Sequence, residues 1–157
     1  MTIGGAAGAP VMARGGSGGS GVSQEAHKVR WLLSDFASGV RGLQDVVVVS
    51  SDGLLLAASE GASRAQDLAA VVSGLVSLGA GASRVLDNGA VRQTIVTMDG
   101  GHLFLMAISD GSCLGVHASL DCDLSVVAYQ MALLVERAGH ALTPEVRSEL
   151  HRAMAAR

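Results

Sequence analysis

Residues 45–59 read DVVVVSSDGLLLAAS, two short apolar runs on either side of a turn sequence. Consecutive valines without polar alternation are typical of a central strand that is covered on both faces. Residues 51–53, Ser-Asp-Gly, are a turn signal, and residues 54–59 can return as the neighbouring strand. The stretch therefore predicts a β-hairpin inside a sheet that carries helices on both sides.

A helix is predicted on each side of this hairpin along the chain. The first has apolar residues at helical spacing, and Gly39 provides a stop. These residues are Val29, Leu32, Leu33, Phe36 and Val40. The second is predicted to begin at a capping box formed by Ser63 and Gln66 and to end at residues 87–89, Asp-Asn-Gly. Its predicted core stripe is Leu68, Val71, Val72, Leu75, Gly79, Ala82 and Leu86.

The rest of the chain predicts three strands and two more helices. The strands cover residues 90–98, 102–108 and 112–118, with Gly-containing turns between them. Asp123 is the expected N-cap of a helix that runs to Gly139, and Thr143-Pro144 begins a final short helix. Because hairpins dominate, we expect an α+β fold: a five-stranded, mainly antiparallel sheet covered by helices on both faces.

Composition narrows the classes of function. Apolar residues make up 49% of the chain but aromatic residues only 3%, which disfavours sites that stack nucleic-acid bases. The net charge of −3, without a basic run, also argues against nucleic acid as a partner. We find no signal peptide, no stretch of about 18 apolar residues that would span a membrane, and too few cysteines for a disulfide scaffold. A cytoplasmic protein is expected.

The chain divides into three parts. Residues 1–24 are rich in Gly, Ala and Ser and are expected to form a disordered tail, because they cannot bury enough apolar surface to fold. Residues 25–140 are expected to form one domain, and residues 141–157 a C-terminal helical extension.

The second helix and the strand after it predict a homodimer. Three glycines, Gly74, Gly79 and Gly81, lie inside the helix, and each costs about 1 kcal/mol relative to Ala. This penalty suggests that another backbone approaches closely, as in a twofold dimer. The following strand looks like a sheet edge that a second copy could cover. The candidate interface residues are Ala70, Ser73, Gly74, Ser77, Gly81, Arg84, Arg92, Thr94 and Val96.

No arrangement of residues predicts catalysis. Residues 15–19 fit GxSxG and residues 16–21 fit GxGxxG, but neither lies between a strand and a helix, so low complexity explains both. A metal site formed by His102, Cys113, His117 and Cys122 is disfavoured because the spacing matches no standard finger. We therefore expect no enzyme activity, no cofactor and no metal.

Five segments together resemble the actinobacterial branch of the Roadblock (dynein light chain) family. They read VVVSSDGLLLA at 47–57, SGLVSL at 73–78, RQTIVTM at 92–98, VAYQM at 127–131 and LTPEVR at 142–147. The resemblance covers residues 29–154. Gly100 and Gln130 depart from it, since relatives often have a charged residue at the first position and Glu at the second.

The resemblance implies a Roadblock/profilin-like fold and a homodimer that joins two sheets edge to edge with the long helices paired. It further implies a non-catalytic signalling scaffold that regulates a small Ras-like GTPase, sometimes together with a sensor histidine kinase, and that partners can recruit to a membrane. One alternative is a GTPase-activating protein that works without an arginine finger, so neither Arg84 nor Arg92 is assigned a catalytic role. Another is a profilin-like sensor of a small ligand.

Overall fold

The computed structural model describes Gly4 and residues 22–156. The predicted tail, residues 1–24, therefore lies almost entirely outside the described residues. Helices α1 to α4 cover Gln24–Gly39, Ala65–Leu86, Leu124–Ala141 and Pro144–Ala155. Strands β1 to β5 cover Leu43–Val49, Leu55–Ala58, Gln93–Met98, Gly101–Ala107 and Cys113–Ser119. The order of elements agrees with the sequence prediction, and β3 begins three residues later than expected.

The five strands form one antiparallel sheet in the order β2-β1-β5-β4-β3. The valine run is an inner strand, as predicted, because β1 pairs with β2 on one side and with β5 on the other. All four valines of this run, Val46 to Val49, are buried. Since their side chains alternate between the faces, β1 contributes to a core on each side of the sheet.

Helices cover both faces, which confirms the predicted α+β architecture. Helices α1 and α3 pack on one face, where Leu33, Phe104 and Met131 are fully buried or nearly so. Helix α2 packs on the other face through Ala65, Ala69 and Val72.

The last helix docks on its own domain. The predicted start of this helix at Thr143-Pro144 is confirmed, and Thr143 caps α4 by accepting a hydrogen bond from the amide of Val146. Val146 and Leu150 belong to the core below α1 and α3, whereas Met154 packs against the core below α2. Helix α4 therefore passes from one face of the sheet to the other beside the edge strand β2.

Two parts of the prediction for α2 are wrong. The N-cap is Arg64, no side chain of the described residues caps the helix, and Ser63 and Gln66 form no capping box. The predicted core stripe is also too long, because Val71, Ala82 and Leu86 are exposed. Only the first half of the helix lies well over the sheet, and residues 84–93 are all exposed.

Candidate protein–protein interface

The two edges of the sheet differ. Helix α4 passes beside β2, but β3, at the other edge, is only lightly covered. Ile95 and Met98 of β3 are each nearly half exposed. Unpaired amides and carbonyls of an exposed edge can bind a further strand. The predicted position of β3 at a sheet edge is therefore confirmed, and the edge is open in the described part of the chain.

Helix α2 carries an apolar stripe on the side away from the sheet. Val71, Leu78 and Val85 are spaced by seven residues and are 51%, 73% and 85% exposed. Gly74 and Gly81 lie three residues after the first two members, so all five residues share one face of the helix. We call these five residues the α2 seam. Its spacing is that of a heptad, the repeat with which one helix packs along another.

The three α2 glycines have different surroundings. A Cβ atom at Gly74 would meet nothing within 4 Å, and one at Gly81 would meet only the end of the Arg84 side chain, at 3.9 Å. At Gly79 it would contact the Val91 side chain at 3.7 Å. Nothing within the described part of the chain therefore requires glycine at Gly74 or Gly81, and both belong to the exposed seam.

The structure places most of the predicted interface residues beside the seam or the open edge. Ala70, Gly74, Ser77, Arg84 and Arg92 are exposed, and Gly81 is half-buried on the same side of α2. Thr94 and Val96 are half-buried on the face of β3 that α2 partly covers.

Ser73 has a different environment. A Cβ at Gly53, in the turn between β1 and β2, would lie 2.8 Å from the Ser73 hydroxyl, so this side chain packs against its own domain. Sequence reasoning also missed Leu78 and Val85 and assigned Val71 to the core. The seven-residue spacing of these three was the signal that could have identified them.

By length and composition, α2 is apolar enough to cross a membrane, contrary to the expectation that no such stretch exists. The helix joins β2 to β3 of one sheet and packs on that sheet through Val72. Two sides of the helix are apolar: one packs on the sheet, and the other is the exposed α2 seam.

A polar cluster lies near the start of the seam. The Nδ1 atom of His117 is 2.9 Å from the Oδ2 atom of Asp45, and an Arg64 nitrogen lies 3.5 Å from the same oxygen. These side chains line a cavity of about 340 Å³ whose other walls include Val71 and Met98. Because the carboxylate of Asp45 already has two partners in its own domain, His117 and Arg64, we interpret this cluster as structural.

The other residues considered as metal ligands also have ordinary environments. The Nδ1 atom of His102 lies 3.1 Å from the Thr97 hydroxyl oxygen. Cys113 is buried, and this burial raises the pKa of its thiol to about 11. Among the described residues there is no cluster of three or more His, Cys, Asp or Glu side chains that could hold a metal ion.

A family model described as the Roadblock/LC7 domain matches residues 29–118, from α1 to the penultimate residue of β5. The chain belongs to the Roadblock/LC7 family. The matched residues include the α2 seam and the open β3 edge, while α3 and α4 lie beyond them. A comparison with curated proteins gave no significant match.

Solved Roadblock/LC7 structures have the same fold. A Roadblock/LC7 domain from Streptomyces avermitilis is 37% identical, with a TM-score of 0.65, over 69% of this chain and 92% of that one. MglB from Myxococcus xanthus is 13% identical, with a TM-score of 0.64, over 85% of this chain and 92% of that one. The gliding protein MglB from Thermus thermophilus is 12% identical, with a TM-score of 0.68, over 76% of this chain and 91% of that one. At such low identity, the two MglB proteins show a shared fold.

Proposed function

We propose that this Roadblock/LC7 protein is a homodimeric, non-catalytic scaffold that regulates a small Ras-like GTPase in the cytoplasm. The observation that supports it most directly is the α2 seam, an exposed apolar heptad on the same side of the molecule as an open sheet edge. Such a surface on one domain fits a protein that works by association. Three further parts of the proposal are supported by membership of the family alone. They are the GTPase partner, a sensor histidine kinase in the same complex, and recruitment to a membrane.

In the proposed dimer, two copies of α2 cross at the seam and two β3 strands pair along their open edges. Burying a Val or Leu side chain fully stabilises by roughly 1.5–3 kcal/mol, so the three large seam residues of both copies can supply much of the affinity. Gly74 and Gly81 allow the helix backbones to approach closely. The interface would also contain Ala70, Ser77, Arg84, Arg92, Thr94 and Val96, with Ser73 behind it.

Charge favours an antiparallel crossing of the two helices. Asp67 lies near the start of α2 and Arg84 near its end. If the two helices run antiparallel and cross at Leu78, the start of one helix lies beside the end of the other. Asp67 of each copy is then on the same side as Arg84 of its partner. A parallel pair would bring two Asp67 carboxylates together, which is unfavourable. Antiparallel helices are also compatible with twofold pairing of the β3 edges.

The domain boundaries belong to this proposal. Residues 25–140 would form the Roadblock domain, residues 1–24 a tail, and residues 141–157 a helical extension. The position of α4 supports separate roles for the two sheet edges. Helix α4 lies beside the β2 edge, and the β3 edge remains open for self-association.

The experiment is a GTP hydrolysis assay with the small GTPase encoded nearest to this protein, combined with a binding measurement. A scaffold binds the GTPase and leaves its hydrolysis rate unchanged. A rate that rises with added protein would instead establish the alternative, a GTPase-activating protein. In that case Arg84→Ala and Arg92→Ala variants that remain dimeric by sedimentation should retain stimulation, because we assign neither residue as an arginine finger. Absence of binding to any small GTPase would refute both versions.

A further inference from the structure

The side of α2 that faces the sheet continues beyond the edge of the sheet. Val72, Gly79 and Leu86 are spaced by seven residues, about two turns, so they lie on one side of the helix. Val72 is buried over the inner strands, where a Cβ at Gly115 of β5 would lie 2.9 Å from its side chain. A Cβ at Gly79 would lie 3.9 Å from the hydroxyl of Thr94, in the edge strand β3. Leu86 is 64% exposed, so α2 passes its own sheet before it ends.

The dimensions of a helix and a sheet indicate how far α2 passes the edge. From Val72 to Gly79 the helix rises about 10 Å, and it moves from β5 to β3, which are two strands and roughly 9–10 Å apart. The next seven residues carry Leu86 a similar distance past β3. If a second copy joins its β3 edge to edge, Leu86 lies over the first two strands of that copy. Because the paired β3 strands run antiparallel, these are the end of β3 and the start of β4.

A cavity with apolar walls lies at that place. The cavity of about 340 Å³ near the start of the α2 seam is lined by Met98 at the end of β3 and by Leu103 in β4. Leu68 and Val71 of α2 form another wall. Met98 and Val71 are each about half exposed. Since Val71 belongs to the seam and Met98 to the open edge, the cavity is continuous with both surfaces of the proposed interface.

The charges near the cavity and near Leu86 match. Asp67 lines the cavity and forms no ion pair among the described residues. Arg84, two residues before Leu86, is exposed and would arrive on the side of Asp67. Asp87, directly after Leu86, would bring a negative charge, and the exposed guanidinium group of Arg64 lies at the same cavity. Each charge from a second copy therefore has an opposite charge to meet.

We infer that this cavity is a socket for Leu86 of a second copy, so that the overhanging end of each α2 packs on the sheet of the other copy. Twofold symmetry gives two such contacts in each dimer. The inference rests on the proposed dimer, but it adds a contact outside the α2 seam. It also identifies a source of specificity, because a chain must supply both a fitting side chain at position 86 and a matching cavity.

Cross-linking tests whether Leu86 reaches the cavity. Leu86→Cys and Met98→Cys are made in separate chains and coexpressed, with Cys122→Ser in both because Cys122 is only partly buried. Cys113 is buried and is retained. A short bismaleimide reagent should give a covalent dimer from the mixture and none from either variant alone. Coexpressed Leu86→Cys and Leu133→Cys are the control and should give none, because Leu133 lies on α3, at the opposite face of the sheet.

Sedimentation separates the two ways in which the experiment can fail. A mixture that sediments as a dimer but does not cross-link would overturn this inference and leave the proposed dimer intact. Wild-type protein that sediments as a monomer would overturn both.

A truncation of Leu86 tests the energy of the contact. Leu86 is exposed in the single domain, so Leu86→Ala should fold normally. It should raise the dissociation constant of the dimer at least roughly tenfold, because it leaves the socket unfilled. Leu133→Ala makes the same change on α3 and should leave the constant unchanged. An unchanged dissociation constant for Leu86→Ala would refute the socket.

Discussion

At the scale of single residues, the glycines inside α2 are the most informative. Glycine inside a helix costs about 1 kcal/mol relative to Ala, and this cost is normally offset by a close contact. At Gly79 an added Cβ would lie 3.7 Å from the Val91 side chain, an ordinary van der Waals distance, and at Gly74 it would meet nothing within 4 Å among the described residues. The domain itself therefore requires glycine at neither position. If a second copy packs against Gly74, a methyl group there should weaken association.

Gly74→Ala should have opposite effects on folding and on association. The helix propensity of Ala should stabilise the isolated domain by about 1 kcal/mol. The added methyl group should raise the dissociation constant of the dimer at least roughly tenfold, because it separates the crossing helices. Sedimentation and chemical unfolding measure the two effects. Gly39→Ala, at the end of α1, also meets open space and should leave association unchanged. Stabilisation without weaker association would show that Gly74 is merely a surface residue.

Cys113 should make stability depend on high pH. Burial raises the pKa of its thiol from 9.0 to about 11, so the folded state holds the thiol proton more tightly than the unfolded state. The resulting stability is complete below pH 9 and is lost as the pH rises to about 11, by up to roughly 3 kcal/mol. Unfolding of wild type and Cys113→Ala at pH 8 and pH 10.5 tests this. An equal loss in both proteins would exclude Cys113 as the cause.

At the scale of elements, α4 is held by a few specific contacts. The Nη1 atom of Arg147 donates to the Oδ2 atom and to the carbonyl oxygen of Asp110, both at 3.1 Å, in the turn between β4 and β5. The same carboxylate accepts hydrogen bonds from the amide and hydroxyl of Ser112. At the other side, Glu149 accepts a hydrogen bond from the amide of Ser23, just before α1. These contacts fasten α4 to two separate parts of the domain.

Arg147→Met should loosen α4 without changing the sheet. It removes one hydrogen bond to the largely buried carboxylate of Asp110 and one to the backbone carbonyl oxygen of the same residue, and we expect a loss of about 1.5–3 kcal/mol in the free energy of unfolding. Hydrogen exchange should accelerate in α4 and the turn that contains Asp110. Arg152→Met is the matched control, because within the described part of the chain the Arg152 side chain hydrogen-bonds only to the carbonyl oxygen of Ser148, inside α4. Equal effects of the two substitutions would contradict this role of Arg147.

At the scale of the whole molecule, the two edges of the sheet have different surroundings. The edge formed by β2 lies beside α4, and that formed by β3 continues toward the exposed end of α2. The domain therefore presents one open edge and one apolar helix face on the same side. A second copy that used both would leave the outer faces of α1 and α3 free for another protein.

Leu78→Asp should separate the dimer while leaving the fold intact. Leu78 is largely exposed in the single domain, but in the proposed dimer its replacement would bury two carboxylates, so association should weaken at least roughly a hundredfold. Sedimentation reports the assembly, and circular dichroism reports the fold. Leu120→Asp is the control: it changes another exposed leucine, outside α2 and β3, and the protein should sediment as a dimer like the wild type. A dimeric Leu78→Asp protein would exclude the seam as the interface.

The sequence by itself determined the order of the elements, the buried valine strand, the turns, the cap at Asp123 and the start of the last helix at Thr143-Pro144. These features depend on residues that are close in the chain, so local patterns predict them. Tertiary structure alone decided where α2 leaves the sheet, because an apolar stripe looks the same whether a sheet or another protein covers it. It also decided that Arg64, not Ser63, precedes α2 and that Val71 and Met98 meet at one cavity. Such contacts join distant segments, and no local pattern records them.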